Sequence, residues 1–209
     1  MQTRISTVVI MIMLGSGFPV SAQDDEGFTL VKKEGKVSLY ERWIPLFSDP
    51  SVTVRELKTE FYYDNTIEAG LQLLRDEKRA ALWKGHLEEY KIYPQADAKR
   101  WVEYTYHDIP WPVSDQDHLT QYMVHKDSPM QTRVSFTSID DEKLAPLRDG
   151  VTRIKLRGNW LFERHGSRVY VTYRVSSIPV GIPRAFTDPL VRNGMVNMIQ
   201  KFIALAEQH

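Results

Sequence analysis

The sequence predicts an α+β domain in which a curved antiparallel sheet of about nine strands wraps around a long C-terminal helix. Many β-type segments follow one another, separated only by short clusters of Gly, Pro, Asp, Asn or Ser. Two segments instead carry apolar residues at helical spacing, one before the middle of the chain and one at its end. Short connections provide no crossover helices, so both helices are expected on one face of the sheet.

The first residues are typical of a secretory signal. Arg4 precedes an apolar run over residues 8–14, and small residues follow, ending at Ala22. The run is too short to span a membrane, which needs roughly 20 apolar residues. We predict a signal peptide over 1–22, cleaved after Ala22, and a single domain over 23–209 that is periplasmic or secreted. An uncleaved anchor is the alternative, and it also places the domain outside the cytoplasm.

Composition excludes several classes of function. The chain has no cysteine, which excludes a thiolate nucleophile, a disulfide framework, a Cys-bound metal and lipoprotein attachment. Lys plus Arg and Asp plus Glu number 27 each, so net charge indicates neither nucleic-acid binding nor a strongly charged membrane surface. Stability must come from an ordinary apolar core.

Three β-type segments come before the first helix, at 28–32, 37–43 and 52–63. The pattern then changes at Asn65 and Thr66, either of which can cap a helix. Apolar residues recur at helical spacing from there, so the sequence predicts one helix that continues to about Lys84.

The second half of the chain predicts six more strands and the closing helix. The six β-rich segments are 87–94, 100–108, 119–125, 133–139, 151–162 and 168–176. The last segment begins after Pro183 and carries apolar residues at helical spacing as far as Leu205. No repeat, low-complexity tract or linker divides the chain after the signal peptide.

The segment from Tyr104 to Leu119, YTYHDIPWPVSDQDHL, resembles the central signature of START domains. These are the StAR-related lipid-transfer family within the helix-grip superfamily, and their signature joins a strand, a Pro-aromatic-Pro turn and an Arg-Asp pair. Four further segments resemble family motifs in the right order: 37–43 (VSLYERW), 73–83, 158–160 (GNW) and 177–183 (SIPVGIP). The resemblance covers nearly the whole chain after the signal peptide and implies a helix-grip, START-like fold.

The chain departs from the family pattern in its charged residues. Gln116 stands where the family has the arginine of its Arg-Asp pair, whereas Asp117 is retained. In family members a buried charged pair often contacts the ligand head group, and the resemblance assigns its carboxylate to Glu103. The position matched to the cation is Tyr122, so the sequence shows no evident cationic partner for Glu103.

A cavity between sheet and closing helix would bind an apolar ligand without chemistry, because burial stabilises by about 25 cal/mol per Å² of apolar surface. Aromatic side chains with a polar tip and adaptable methionines suit such a ligand. We predict that the ligand-binding residues are Tyr104, Tyr106, Tyr122, Trp160, Tyr173, Phe186, Met195 and Met198. The same residue types at this spacing are also typical of a plain core.

The predicted strand 101–107 contains a conflict of orientation. Side chains alternate along a strand, so Tyr104 and Tyr106 share one face while Glu103 lies on the other. We place the tyrosines inward because they are more apolar, and we keep Glu103 as an alternative ligand contact.

Six histidines raise the possibility of catalysis, but they are scattered and form no metal-ligand spacing. His107, Asp115 and His118 flank the Pro-Trp-Pro turn, which is the best place for acid–base chemistry. No nucleophile elbow, phosphate-binding loop or dinucleotide fingerprint occurs. We therefore predict no catalytic residue, no metal and no cofactor.

The leading functional prediction is non-catalytic binding of one lipid or other apolar small molecule in a bacterial periplasm, as carrier or sensor. Ligand exchange would follow movement of the closing helix or of the loops beside it, with transient membrane contact and no nucleic-acid partner. The sequence does not define the oligomeric state, and a monomer is favoured. One alternative is a cyclase or aromatase of the same superfamily that positions a polyketide-like substrate with Tyr104, Tyr122 or His107. Another is an interaction module whose cavity is filled by side chains.

Overall fold

The computed structural model describes residues 27–46, 49–109, 111, 114–177 and 184–208, with the side chains of the last range from residue 188 onward. The predicted signal peptide and its cleavage site lie outside these residues, and so does the side chain of Phe186.

Ten strands and three helices occur in the described part of the chain. In order they are β1 (Thr29–Glu34), β2 (Val37–Leu46), β3 (Asp49–Tyr63), α1 (Ile67–Leu74), α2 (Ala80–Trp83), β4 (Leu87–Pro94), β5 (Arg100–His107), β6 (Gln116–Ser128), β7 (Gln131–Ser138), β8 (Thr152–Arg153), β9 (Leu156–His165), β10 (Arg168–Ser177) and α3 (Arg184–Ala206).

The strands form a single sheet in the order β1-β2-β3-β10-β9-β7-β6-β5-β4. Every pairing along this path is antiparallel. The two-residue strand β8 lies off the path and pairs in parallel with β6. The predicted class is confirmed: an α+β domain with an antiparallel sheet of about nine main strands and a long C-terminal helix.

The register aligns one face of each strand beneath α3. Trp160 of β9 is opposite Tyr173 of β10 on one side and Val134 of β7 on the other. Farther along the sheet, Phe136 of β7 is opposite Tyr122 of β6. Because side chains alternate along each strand, these residues share the inner face.

The predicted single helix from Thr66 to Lys84 is wrong, because the chain makes two short helices. Thr66 does cap α1, its hydroxyl accepting a hydrogen bond from the backbone N–H of Ala69 at 3.2 Å. The helix ends at Leu74, and the carboxylate of Asp76 then accepts the backbone N–H of Arg79 at 3.1 Å. An aspartate that bonds local backbone favours a turn over a continuing helix.

The predicted strand 151–162 is also divided. Residues 152–153 leave the plane of β9 to pair with the start of β6, and β9 begins only at Leu156. Arg153 makes this detour favourable, because its guanidinium reaches Asp117 of β6 from the short strand.

The C-terminal half of α3 packs on an aromatic core. Phe202 is fully buried, with ring centroids 5.2 Å from Trp83, 5.3 Å from Trp160 and 6.0 Å from Phe61. Edge-to-face and offset contacts of this kind add about 0.5–1.5 kcal/mol each beyond area burial. The preceding turns of α3 differ, because Val191, Met195 and Met198 are only partly buried.

The outer face of the sheet carries a smaller apolar cluster where the segment 139–151 folds over β5 and β6. Its buried members are Val102, Tyr104, Leu119 and Ala145. The sheet is therefore covered on both faces in this region. Within the described residues no helix is long and apolar enough to cross a membrane.

Candidate functional site

A cavity of about 570 Å³ lies between the inner face of the sheet and the N-terminal half of α3. Its described lining comes from the ends of the strands, from the segment after α2 and from α3. Most of these side chains are apolar, and they include Leu57, Leu74, Trp83, Ile109, Phe136, Ile154, Leu156, Val175, Leu190 and Val191. A cavity of this size falls in the usual range for small-molecule sites, roughly 300–1,000 Å³.

Six of the nine predicted ligand-binding residues line this cavity. They are Glu103, Tyr122, Trp160, Tyr173, Met195 and Met198. Trp160 and Tyr173 stack with ring centroids 4.1 Å apart and form part of its floor. Contact of these residues with a ligand remains a prediction, and Phe186 lies outside the described side chains.

Tyr104 and Tyr106 lie on the opposite face of the sheet, which corrects the orientation predicted for their strand. The Tyr104 hydroxyl donates to Asp117 at 3.2 Å, and the Tyr106 hydroxyl donates to Asp115 at 2.6 Å. Burial, followed by the charge of Asp117, raises the pKa of Tyr104 to about 12. The inward orientation predicted from apolarity is wrong because the segment 139–151 covers the outer face of the sheet and supplies a second apolar environment there.

Glu103 faces the cavity, and its partner is Lys84, the first residue after α2. The Lys84 ammonium donates to Glu103 Oε1, and the side chains are 11% and 2% exposed. Tyr90 donates to the other carboxylate oxygen at 2.7 Å, and Thr105 donates to Oε1 at 3.0 Å. The buried carboxylate is therefore well satisfied, as a buried charge requires.

The surroundings of the Lys84–Glu103 pair disfavour additional charge. Burial lowers the pKa of Lys84, although Glu103 opposes that shift. Burial also raises the pKa of Tyr122 and Tyr173, and the negative charge of Glu103 adds to both shifts. At neutral pH the tyrosines are thus neutral hydroxyls beside a compact ion pair.

His107 and His118 complete the polar end of the cavity, with ring centroids 5.8 Å apart. His107 Nδ1 lies 3.0 Å from the carbonyl oxygen of Gly85, and His118 Nδ1 lies 3.0 Å from Thr120 Oγ1. Burial lowers the pKa of both rings, and that of His118 falls well below its ordinary value. Both histidines are therefore neutral at physiological pH.

A second charged cluster joins α3 to the sheet at the other side of the cavity. Arg55 of β3 pairs with Asp188 of α3 at 2.5 Å, and Arg192 of α3 pairs with Glu41 of β2 at 2.6 Å. Cross contacts connect Arg55 to Glu41 at 3.9 Å and Arg192 to Asp188 at 3.5 Å. We call these four residues the α3 latch.

Asp117 pairs with Arg153, which is distant in sequence, and not with the adjacent residue 116. Arg153 of β8 donates to both carboxylate oxygens, at 2.6 and 2.8 Å, and also to the carbonyl oxygens of Ala145 and Pro146. The bidentate pair fixes the segment 139–151 on the outer face. The glutamine at 116 is thus compensated by an arginine farther along the chain.

The sequence analysis missed Lys84, Arg55 and His118 as cavity residues. The only sequence signal for Lys84 is a basic residue just after a helical segment, and it does not reveal that α2 places this residue beside β5. In the described part of the chain, no group of three or more His, Asp or Glu residues could hold a metal ion.

Comparisons with known proteins agree with this architecture. No family profile matches the sequence, and no curated protein matches it. Among solved structures, the chain is similar to a STAR-related lipid transfer protein from Xanthomonas axonopodis, with a TM-score of 0.73 and 22% identity over 88% of this chain and 100% of that one. It is similar to human StAR-related lipid transfer protein 5, with a TM-score of 0.73 and 15% identity over 89% of each chain.

A more distant structural similarity concerns an enzyme. The Zhui aromatase/cyclase from a Streptomyces species aligns with a TM-score of 0.54 and 11% identity, over 74% of this chain and 94% of that one. At such identities the likeness establishes the fold alone. The chain has the helix-grip fold of the StAR-related lipid-transfer domains.

Proposed function

We propose that this chain binds one lipid or other apolar small molecule in its cavity and carries or senses it, without catalysis, outside the cytoplasm. The observation that supports this function is an apolar cavity of about 570 Å³ with a buried, hydrogen-bonded ion pair at one end. An amphiphilic ligand would place its chain against Trp160, Tyr173 and the methionines of α3. Its head group would lie near Lys84 and Glu103.

The expected affinity comes from apolar burial. Enclosing about 300 Å² of apolar ligand surface would contribute about 7.5 kcal/mol at 25 cal/mol per Å². Loss of ligand freedom offsets part of this gain, so useful affinity depends on a preformed cavity. Met195 and Met198 are only partly buried and can adapt to an irregular ligand.

Ligand exchange is proposed to follow displacement of the N-terminal half of α3, with transient contact to a membrane. Trp43 and Leu190 line the cavity and are each 40% exposed, so the cavity extends to the protein surface there. Trp111, in the connection between β5 and β6, is 92% exposed. Exposed tryptophan is typical of surfaces that meet the membrane interface.

The test is native mass spectrometry of the chain purified from its own host, followed by organic extraction and lipid analysis. We expect one bound molecule for each monomeric chain, recovered from the extracellular or periplasmic fraction. A chain that is empty on isolation and stays empty after incubation with total membrane lipids would contradict lipid carriage. A chain recovered only from the cytoplasm would contradict the proposed location.

A cyclase-like enzyme is the second candidate, because Glu103, His107 and His118 bring titratable groups to one end of the cavity. Turnover of a polyketide-like substrate that is lost in His107→Leu, with the fold retained, would favour this candidate. The interaction-module alternative requires an interior filled by side chains, and the cavity of about 570 Å³ argues against it.

A further inference from the structure

The polar end of the cavity indicates which class of ligand it accepts. We infer that the ligand is a compact, single-chain amphiphile whose head group is an uncharged hydroxyl. This inference rests on the proposed function and adds the chemical class of the molecule. Three observations carry it: the volume of the cavity, the pairing of its charges and the hydrogen-bonding state of His107.

The volume limits the size of the ligand. At liquid density a water-sized group takes about 30 Å³, so the cavity of about 570 Å³ holds roughly 20 non-hydrogen atoms. One long alkyl chain with a small head group has this size. A phospholipid with two long acyl chains is far larger, and part of it would extend out of the cavity beside Trp43 and Leu190.

The charges of the lining exclude a charged head group. The cationic lining residues in the described part of the chain are Lys84 and Arg55, and they are already paired with Glu103 and Asp188. His107 and His118 are held neutral by burial, which lowers the pKa of both. A phosphate, carboxylate or ammonium would therefore be buried without a counter-charge, which is strongly unfavourable.

The hydrogen-bonding groups favour a head group that both donates and accepts. The carbonyl of Gly85 can only accept, so His107 Nδ1 carries the proton and donates to it at 3.0 Å. Nε2 of the neutral ring is then an acceptor on a residue that lines the cavity. The Lys84 ammonium, which lines the cavity, uses one N–H group on Glu103 and has two further N–H groups as donors. A hydroxyl satisfies both kinds of group, whereas a ketone or ester can only accept.

The experiment compares probes of equal chain length against the delipidated full chain by native mass spectrometry in mildly alkaline buffer. The probes are hexadecanol, hexadecanoate, hexadecylamine and dipalmitoyl phosphatidylcholine. We expect hexadecanol to bind at least about tenfold more tightly than each of the others. Tighter binding of hexadecanoate, hexadecylamine or the phospholipid would overturn this inference while leaving lipid binding intact. Failure of all four to bind would overturn both proposals.

A variant tests the role of His107 separately. The preference for hexadecanol over the hydrocarbon hexadecane should fall at least about fivefold in His107→Leu, because the acceptor is removed. His165→Leu is the matched control, since His165 is exposed on the outer surface beside Tyr170. Circular dichroism verifies that both variants fold. An unchanged preference in folded His107→Leu would contradict the proposed contact.

Discussion

Lys84 and Glu103 are 19 positions apart in sequence, yet their side chains form one buried ion pair in the cavity wall. Removing one member leaves the other charge buried without its partner. We expect Lys84→Met to lower the free energy of unfolding by about 3–5 kcal/mol, measured by urea denaturation. The double variant Lys84→Met/Glu103→Leu should recover part of this loss, because an apolar replacement leaves no unpaired charge.

The control for this pair is the exposed pair Lys155–Asp140, for which Asp140→Asn should change stability by less than about 1 kcal/mol. The expected coupling between Lys84 and Glu103 would be contradicted if the stability loss of the double variant equalled the sum of the losses in the two single variants.

Gly158 has no room for a side chain. A Cβ atom there would overlap the carbonyl oxygen of Arg174 and the ring of Phe136. We expect Gly158→Ala to lower the free energy of unfolding by at least about 2 kcal/mol, because backbone must move to admit one methyl group. Gly85→Ala is the control, since nothing lies within 4 Å of a Cβ at that position. Equal midpoints of chemical denaturation for the two variants would refute this account.

Arg153 should hold the segment 139–151 on the sheet. Its bidentate pair with Asp117 is largely buried, so Arg153→Ala is expected to cost about 3–5 kcal/mol. Arg153→Lys should recover little, because an ammonium cannot reproduce the two parallel hydrogen bonds. Hydrogen exchange in residues 139–151 should accelerate in both variants. Arg133→Ala, which removes a half-exposed ion pair with Asp127, serves as the control. If residues 139–151 exchange at the wild-type rate in Arg153→Ala, Arg153 does not hold this segment.

Stability should fall in mild acid because of the two cavity histidines. Burial lowers the pKa of His107 and His118, so below about pH 6.5 the unfolded chain binds protons that the folded chain does not. The free energy of unfolding therefore decreases as pH falls, by at most about 1.4 kcal/mol per pH unit for each ring. Urea denaturation at a series of pH values measures this slope.

Substitution tests whether the buried histidines cause this pH dependence of the free energy of unfolding. His118→Leu should flatten the pH dependence below about pH 6.5, whatever its effect on absolute stability. Gly194→Ala, which changes no titratable side chain and places its Cβ in open space, should keep the wild-type slope. A wild-type slope in His118→Leu would assign the acid sensitivity to other groups.

The α3 latch should control the rate of ligand exchange if the N-terminal half of α3 moves. Arg192→Gln removes pairs with Glu41 and Asp188 that are partly exposed, so the stability loss should stay below about 1 kcal/mol. A barrier lowered by that amount would raise the release rate about fivefold. Transfer of a fluorescent long-chain alcohol to vesicles measures release. Lys201→Gln, at an exposed position of the same helix, should exchange at the wild-type rate; equal rates for both variants would exclude a gating role.

Local patterns in the sequence were sufficient for most of the fold. Residue type identified Trp160 and Tyr173 as cavity residues, and helical spacing identified α3. The break between α1 and α2 was missed because it depends on Asp76 bonding the backbone of Arg79, which competes with an otherwise helical apolar pattern.

The cavity was harder to predict because its polar end is assembled from distant segments. Tyr104 and Tyr106 were placed inward on apolarity, which cannot distinguish two faces that are both covered. Lys84 joins Glu103 only after α2 and β5 are brought together, so no spacing in the sequence reveals the pair. A strand's alternation defines its two faces, but only tertiary packing decides which one meets the ligand.

The division of α3 into a packed half and a cavity half separates two kinds of evolutionary constraint. Phe202 and its neighbours are held by the aromatic core, where a change in volume is opposed by the whole domain. Met195 and Met198 line the cavity, where a change in side-chain volume alters which ligand fits. Relatives of this chain could therefore diverge in cargo through a few positions in two helical turns while the remainder of the helix stays nearly constant.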